Sequence, residues 1–450
     1  MPQTKVTGPI TNGKGWPFGA PNAADVEARG YLMEEYFIEG VANSYRDASG
    51  KGQREDSSWD AEIDRTEPYK TRFFVIRPKD ASTFNGIVLV NWQNVTAGVD
   101  LGWPQDDEIY RGYAWVGVTA QKIGVLGRPG ITKGLTEWDP VRYGSLTHPG
   151  DAFSYDIFTQ ASRAVSADRS GSPDPLGGLK PKLMIAQGGS QSAMRLGSYI
   201  NVVHQKERLF DGFFLTVHWG MCPPLQELSI VKQMVALEGG RFQTTSKIND
   251  TSGTPILALC SESETLHNYP ARQPDTNTFR FWEMAGSSHS GPEMADGMAD
   301  IFARDGVERA PQRETRNSVQ WGYVREAALR RLVEWVRDGK APPIMPLVEV
   351  EGGAKPKIKK DKLGNALGGI RLPEVEAPTA SNRGDYGANM LEGLSGETLR
   401  FDAAKLKELY PTKADYVAKW NKAVDTLIAQ GLVLPESEAA VRERAEAFYY

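Results

Sequence analysis

The sequence predicts an α/β fold, a mostly parallel central sheet with helices on both faces, and three observations carry that prediction. Between residues 70 and 340, short apolar runs of strand length alternate with stretches of helical periodicity, the pattern of strands joined by crossover helices. Two of the runs, 86–92 and 113–120, read as buried strands. A third, Leu183-Met184-Ile185-Ala186-Gln187, runs into Gly188-Gly189-Ser190-Gln191-Ser192 and leaves as a helical stretch to about residue 205.

Taken in order, residues 1–30 are loop-like, and 31–40 and 41–45 carry the first ordered pattern. Residues 69–77 alternate as an edge strand does, and 78–85 form a turn. The 86–92 strand is followed by a polar loop, 93–100, a short helix at 106–112 and the 113–120 strand. The glycine-, proline- and aromatic-rich stretch 121–150 is too long for a plain connection and is expected to form a rim or lid. A helix at 151–165 and a Pro/Gly/Ser-rich connection at 166–180 lead to the Ser190 strand.

Beyond it, strands at 212–218, 255–260 and 278–284 alternate with a helix at 225–237. A helix at 319–336 ends at Asp338-Gly339. From 342 onward prolines, a glycine-rich stretch at 364–369 and two terminal helices, 413–430 and about 436–448, change the character of the chain. The expected organisation is an N-terminal extension (1–65), a core (66–341) with its rim loop, and a C-terminal lobe (342–450) packed on the core.

Composition narrows the function. Forty per cent apolar residues and 11 tryptophans supply a large core. A net charge of −5 argues against nucleic acid and anionic membrane as main partners. No apolar run approaches the roughly 18 residues of a membrane span, and residues 1–19 have no apolar signal region; the expected location is the cytoplasm. Two cysteines, Cys222 and Cys260, form no disulfide framework. With five scattered histidines they show no zinc spacing, so no metal or cofactor is expected. Both cysteines are read as ending adjacent strands, as a reduced, buried pair.

A serine at a sharp strand-to-helix turn needs small neighbours, because its backbone is strained and the two arms pass close together. Gly188, Gly189 and Ser192 meet that need, in the pattern G-x-S-x-S. Such a turn presents the hydroxyl at the carboxyl edge of a sheet and places the N–H of Gln191 where an oxyanion can develop. Ser190 is therefore the candidate nucleophile, and it requires a base, in this chemistry a histidine oriented by a carboxylate.

Of the five histidines, His204 lies too far down the helix leaving Ser190, His148 sits in the long loop, His218 ends a strand, and His267 follows Cys260. His289, after the last strand, stands where the order serine, acid, histidine puts the base. The acid follows the preceding strand, in Ser261-Glu262-Ser263-Glu264. Glu264 has the common spacing, and Glu262 is the alternative. Asp275 reads as a turn residue. A second oxyanion donor is expected from the loop after 86–92, with the backbone N–H of Gln93 or Asn94 as candidates.

The chain resembles the bacterial alpha/beta-hydrolase domain family of serine-esterase-like enzymes. The resemblance is carried by 30–40, Tyr69-Lys70-Thr71-Arg72, 84–95, 112–118, Gly188-Gly189-Ser190-Gln191-Ser192 and Ser261-Glu262-Ser263-Glu264. It continues through Ala271-Arg272-Gln273-Pro274-Asp275, 282–289 and 364–369. It covers most of the chain and implies an α/β-hydrolase sheet and ester hydrolysis through Ser190 and His289, with the acid open between Glu264 and Glu262. The expected activity is cleavage of a small-molecule carboxylic ester through an acyl-enzyme. Transfer of the acyl group to another acceptor, or binding without catalysis on the same fold, are the alternatives.

Overall fold

The computed structural model describes residues 4–51, 54, 57–102, 106–225, 246–308, 313–353, 355–385 and 390–449. The chain divides into two units, Met1–Ile256 with Ile301–Val307, and Leu257–Asp300 with Glu308–Tyr450. The architecture is α/β with a mostly parallel central sheet, as the sequence predicts.

In the first unit the strands are β1 (Lys5–Thr7), β2 (Tyr31–Asp47), β3 (Ala61–Pro78), β4 (Ile87–Trp92) and β5 (Ala114–Val118). They continue with the two-residue pieces β6 (Gly127–Arg128) and β7 (Thr132–Lys133), then β8 (Leu183–Gly189) and β9 (Gly212–Thr216). Their sheet order is β1-β2-β3-β5-β4-β8-β9, with β6 and β7 forming a separate hairpin. Pairing is antiparallel from β1 through β5 and parallel from β5 through β4 and β8 to β9. The residues at 31–45 form one strand, β2, in a long hairpin with β3.

The edge assignment of 69–77 does not hold. β3 lies between β2 and β5, because Phe73, Phe74, Val75 and Ile76 are a continuous apolar run buried on both faces. Only the stretch 62–68 of β3 is exposed, and its alternation with Tyr69 and Thr71 is what resembles an edge. The short helix expected at 106–112 is a 3-10 turn, Asp107–Tyr110.

Helix α1 (Ser154–Arg163) is buried at nearly every position. Its Phe158 ring lies 4.8 Å from that of Trp92, and each such buried ring contributes roughly 1.5–3 kcal/mol. The rim stretch 121–150 folds into short helices at Lys122–Leu126, Leu135–Trp138 and Pro140–Tyr143 around the β6–β7 hairpin. Phe18, Phe37, Val99, Val125, Leu135, Tyr143 and Leu146 give it a core of its own. Helix α2 (Gln191–Ser198) widens into a π turn at Tyr199–Val203 before a last short helix, His204–Glu207. The helix expected at 225–237 lies outside the described residues, apart from Leu225.

The second unit carries β10 (Ile256–Ser261, from residue 257 on), β11 (Phe279–Ala285), the pair β12 (Val350–Glu351) and β13 (Lys357–Ile358), and β14 (Ile370–Arg371). β14 pairs in parallel with β11. A further pair is β15 (Ala380–Arg383) and β16 (Glu397–Arg400). Helix α3 (Gly322–Asp338) ends at Gly339, φ +71°, the left-handed cap that Asp338-Gly339 foretells. Helix α4 (Lys413–Ala429) starts on a capping box of Thr412 and Asp415, and the terminal stretch forms two short helices, Glu438–Glu443 and Ala445–Phe448.

Both cysteines are free and buried, but only Cys260 lies at a strand end. Cys222 stands six residues beyond Thr216, the last residue of β9, with Asn201 Nδ2 at 3.6 Å from its sulfur. No helix among the described residues is long and apolar enough to cross a membrane.

Candidate active site

β4 is followed in the chain by β5 on one side of it, and then by β8 on the other. The carboxyl ends of β4 and β8 therefore flank a point where the sheet order reverses, the place where parallel sheets bind ligands. Ser190 follows β8 at φ 59° and ψ −122°, outside the regions an L-residue prefers, while the hydroxyl-bearing residue remains partly exposed. Its N–H donates to Thr216 O at 2.9 Å, and its carbonyl accepts from Met194 N at 3.1 Å as α2 begins.

The small neighbours are required. A Cβ on Gly188 would come 3.0 Å from Leu196 Cδ1 and 3.1 Å from Ser192 Cβ, and one on Gly189 would come 2.9 Å from Thr216 Oγ1. Ser192 itself is fully buried in the tight angle. Gln191 is the first residue of α2, where a backbone N–H has no acceptor within the helix.

The loop after β4 changes one expectation. Gln93 N–H donates to Val118 O at 3.1 Å and Asn94 N–H to Leu101 O at 2.7 Å, so neither is available to an oxyanion. The first continues the sheet ladder, and the second closes the loop through a reciprocal bond from Leu101 N–H to Asn94 O. Thr96 N–H is held by Asn94 Oδ1 at 2.8 Å. Val95 N–H, in the fully buried residue between them, has no hydrogen-bond acceptor among the described residues. A buried, unpaired N–H is rare enough to ask for a function. Sequence spacing misses it because it sets the loop's position and not which N–H its turn leaves open.

Asn94 also reaches the Ser190 turn, its Nδ2 donating to Gly189 O at 3.1 Å. The far end of the loop is tied down by Asp100, which accepts from Arg72 Nη2 at 2.7 Å and Thr119 Oγ1 at 2.5 Å. Arg72 is wholly buried and also donates to Glu35 Oε1 at 2.8 Å.

In the second unit, Ser261 starts a turn whose capping box places Glu264. One carboxylate oxygen, Oε2, accepts from Ser261 N–H and from Ser261 Oγ, each at 2.8 Å. The other, Oε1, lies 2.7 Å from His289 Nδ1. Both side chains are almost completely buried. Glu264, rather than Glu262, is thus the carboxylate against the imidazole.

Glu262 binds backbone instead: Oε2 accepts from Gly286 N–H at 2.5 Å and Oε1 from Gly384 N–H at 3.1 Å. The 286–289 loop is further held by Ser263 Oγ, which accepts from His289 N–H at 3.0 Å. Asn317 Nδ2 donates to Gly286 O at 2.8 Å and Trp321 Nε1 to Ser288 O at 3.1 Å. Asp275 accepts from Phe281 N–H at 2.9 Å, as a turn residue does.

Burial raises the Glu262 carboxyl from 4.5 to about 7, with Asp385 adding to the effect. A carboxyl raised in the folded state stabilises the fold fully below its unfolded value and loses that contribution as pH rises through the folded one. The stability gap between the wild type and Glu262→Gln, whose amide does not titrate, is therefore expected to narrow from pH 5 to pH 8. Urea unfolding of both at several pH values measures it; a gap that widens would refute the assignment.

The remaining histidines have other partners. His148 Nε2 lies 2.9 Å from Ala120 O, and its Nδ1 accepts from Gly150 N–H at 3.2 Å. His204 Nε2 is 2.9 Å from Thr254 Oγ1, and burial lowers its pKa to about 4. His218 Nδ1 accepts from Gly220 N–H at 3.0 Å, and His267 sits on the short helix Thr265–Asn268. Among the described residues no group of three histidine, cysteine or carboxylate side chains is placed to hold a metal ion.

Oligopeptidase B from Leishmania major is similar in structure at 12% identity, with 62% of this chain and 36% of that chain covered and a TM-score of 0.31. LipA, a rice cell wall degrading esterase from Xanthomonas oryzae, is 14% identical over 48% of this chain and 50% of its own, TM-score 0.25. Esterase Est22 is 13% identical over 64% and 72%, TM-score 0.27. The chain spans only 38% and 36% of the length of the two peptidase structures it matches first. Likeness at this level says nothing of substrate, and no curated protein matches the chain. Residues 6–443 match the family described as "Alpha/beta hydrolase domain", nearly the whole length, and the protein belongs to that family.

Proposed function

We propose that the protein is a serine hydrolase that cleaves a small-molecule carboxylic ester, with Ser190 as nucleophile, His289 as base and Glu264 as the orienting acid. The observation that carries the reading is the strained backbone of Ser190, φ 59°, at a strand-to-helix turn, since such strain in a non-glycine residue persists where a function holds it. The 2.7 Å contact of Glu264 with His289 Nδ1 supports it. A carboxylate there fixes the tautomer with its proton on Nδ1, which leaves Nε2 as the base.

His289 Nε2 takes the hydroxyl proton as Ser190 Oγ bonds to the ester carbonyl carbon. The resulting oxyanion accepts from the N–H of Gln191 and, in place of Gln93 or Asn94, from that of Val95. The bond to the leaving oxygen breaks as His289 returns the proton to it. Water, deprotonated by the same imidazole, then attacks the acyl carbon, releases the acid and restores Ser190.

A fluorophosphonate probe is expected to label the protein once, on the peptide containing Ser190, as read by mass spectrometry. Label on another residue, or none, would remove the reading. Parallel assays with ester and peptide substrates of matched acyl group separate esterase from peptidase, and the ester is expected to be the one turned over.

A further inference from the structure

The β6–β7 hairpin is fastened to the loop that follows β4. Thr132 Oγ1 donates to Gly98 O at 2.5 Å, and Arg128 Nη2 donates to Thr96 O at 2.8 Å. The same loop reaches the nucleophile turn through Asn94 and Gly189. Arg128 therefore stands a short chain of hydrogen bonds away from Ser190, all within the first unit.

Its guanidinium is unlike its neighbours. Every other buried or half-buried arginine described in that unit is paired with a carboxylate: Arg72, Arg77, Arg142, Arg169 and Arg195. Among the described residues Arg128 has no such partner, and of its five N–H donors only one has an acceptor there. Its Nε is shielded from solvent with no acceptor, as are those of Arg77 and Arg195. Thr96, whose carbonyl Arg128 holds, has a buried hydroxyl that is also without a hydrogen bond among the described residues. Native proteins leave few such groups open, and each one asks for a partner.

We propose that Arg128 receives an anionic group of the substrate, a carboxylate at the far end of the acyl chain, so that the ester is a half-ester of a dicarboxylic acid. A planar carboxylate matches the fork of a guanidinium and takes two parallel N–H bonds from it. The inference rests on Ser190 being the nucleophile.

The test compares mono-p-nitrophenyl glutarate with p-nitrophenyl pentanoate, which has the same chain length without the charge. The wild type is expected to favour the glutarate in kcat/KM by roughly 10- to 100-fold, the range of one charged hydrogen-bonded pair. Arg128→Met is expected to bring that ratio close to one, and Arg128→Lys to keep part of it. A wild type that prefers the neutral ester, or an Arg128→Met variant that keeps the preference, overturns the proposal. Glutarate binding to the wild type and to Arg128→Met, measured by calorimetry, decides the same point without turnover. Were neither ester hydrolysed, the nucleophile reading would fall, while weaker glutarate binding to the variant would still locate an anion site at Arg128 and equal binding would abolish it.

Discussion

Ser190→Ala is expected to lower kcat for p-nitrophenyl pentanoate on the order of 10⁶-fold, to the residual rate that binding and oxyanion donors alone supply. The fold should survive, since the alanine Cβ occupies the same space as the serine Cβ and Ser190 is only partly buried. A second substitution separates chemistry from conformation. Ser190 holds φ 59° and ψ −122°, which a residue with a Cβ adopts at a cost of about 1–3 kcal/mol and glycine adopts freely. Ser190→Gly should therefore be as inactive as Ser190→Ala but melt at a higher temperature. An active Ser190→Ala would eliminate the nucleophile, and a Ser190→Gly variant no more stable than Ser190→Ala would eliminate the strain.

The second large effect is expected at Glu264, and its contrast with Glu262 makes it informative. Glu264→Gln places an amide where Oε1 meets His289 Nδ1 at 2.7 Å. An N–H there drives the imidazole proton to Nε2, and the base is lost. The expected fall in kcat is about 10⁴-fold with little change in stability, because the amide oxygen can still accept from Ser261.

Glu262→Gln should do the reverse. Both of its oxygens accept backbone N–H bonds, from Gly286 and Gly384, and an NH₂ must now face one of them. A loss of about 1–3 kcal/mol of stability is expected, with kcat of the folded fraction reduced far less than in Glu264→Gln. Steady-state rates and urea melts on the two variants decide it, and exchanged phenotypes would reassign the acid to Glu262.

The parts of the fold and site visible in the sequence are those set by local chemistry. The apolar runs of β4, β5 and β8, the glycine pair ahead of Ser190 and the Asp338-Gly339 stop each state their own geometry. The approximate place of the carboxylate that meets His289 could be read too, since Glu264 has the common spacing after the preceding strand. Whether Glu262 or Glu264 touches the histidine could not, because the choice depends on Gly384, 122 positions away. The interior place of β3 was hidden by its exposed first half, and the loss of Gln93 and Asn94 as donors by partners on β5 and at Leu101. Arg128 gave no signal, because a lone arginine is unremarkable until no counter-ion is found for it among the described residues.

Gly384 lies far along the chain from Glu264 and His289, yet its N–H and its carbonyl are both tied to the 261–264 turn, through Glu262 Oε1 at 3.1 Å and Ser263 Oγ at 2.6 Å. A polypeptide ending near residue 341 would keep Ser190, Glu264 and His289 and still lack this buckle. Its 286–289 loop would be loose even though all three proposed catalytic side chains were present. Trimming this protein to a minimal catalytic core should therefore fail as an engineering route, and insertions meant to carry tags or fused partners are best kept away from the turn at 384.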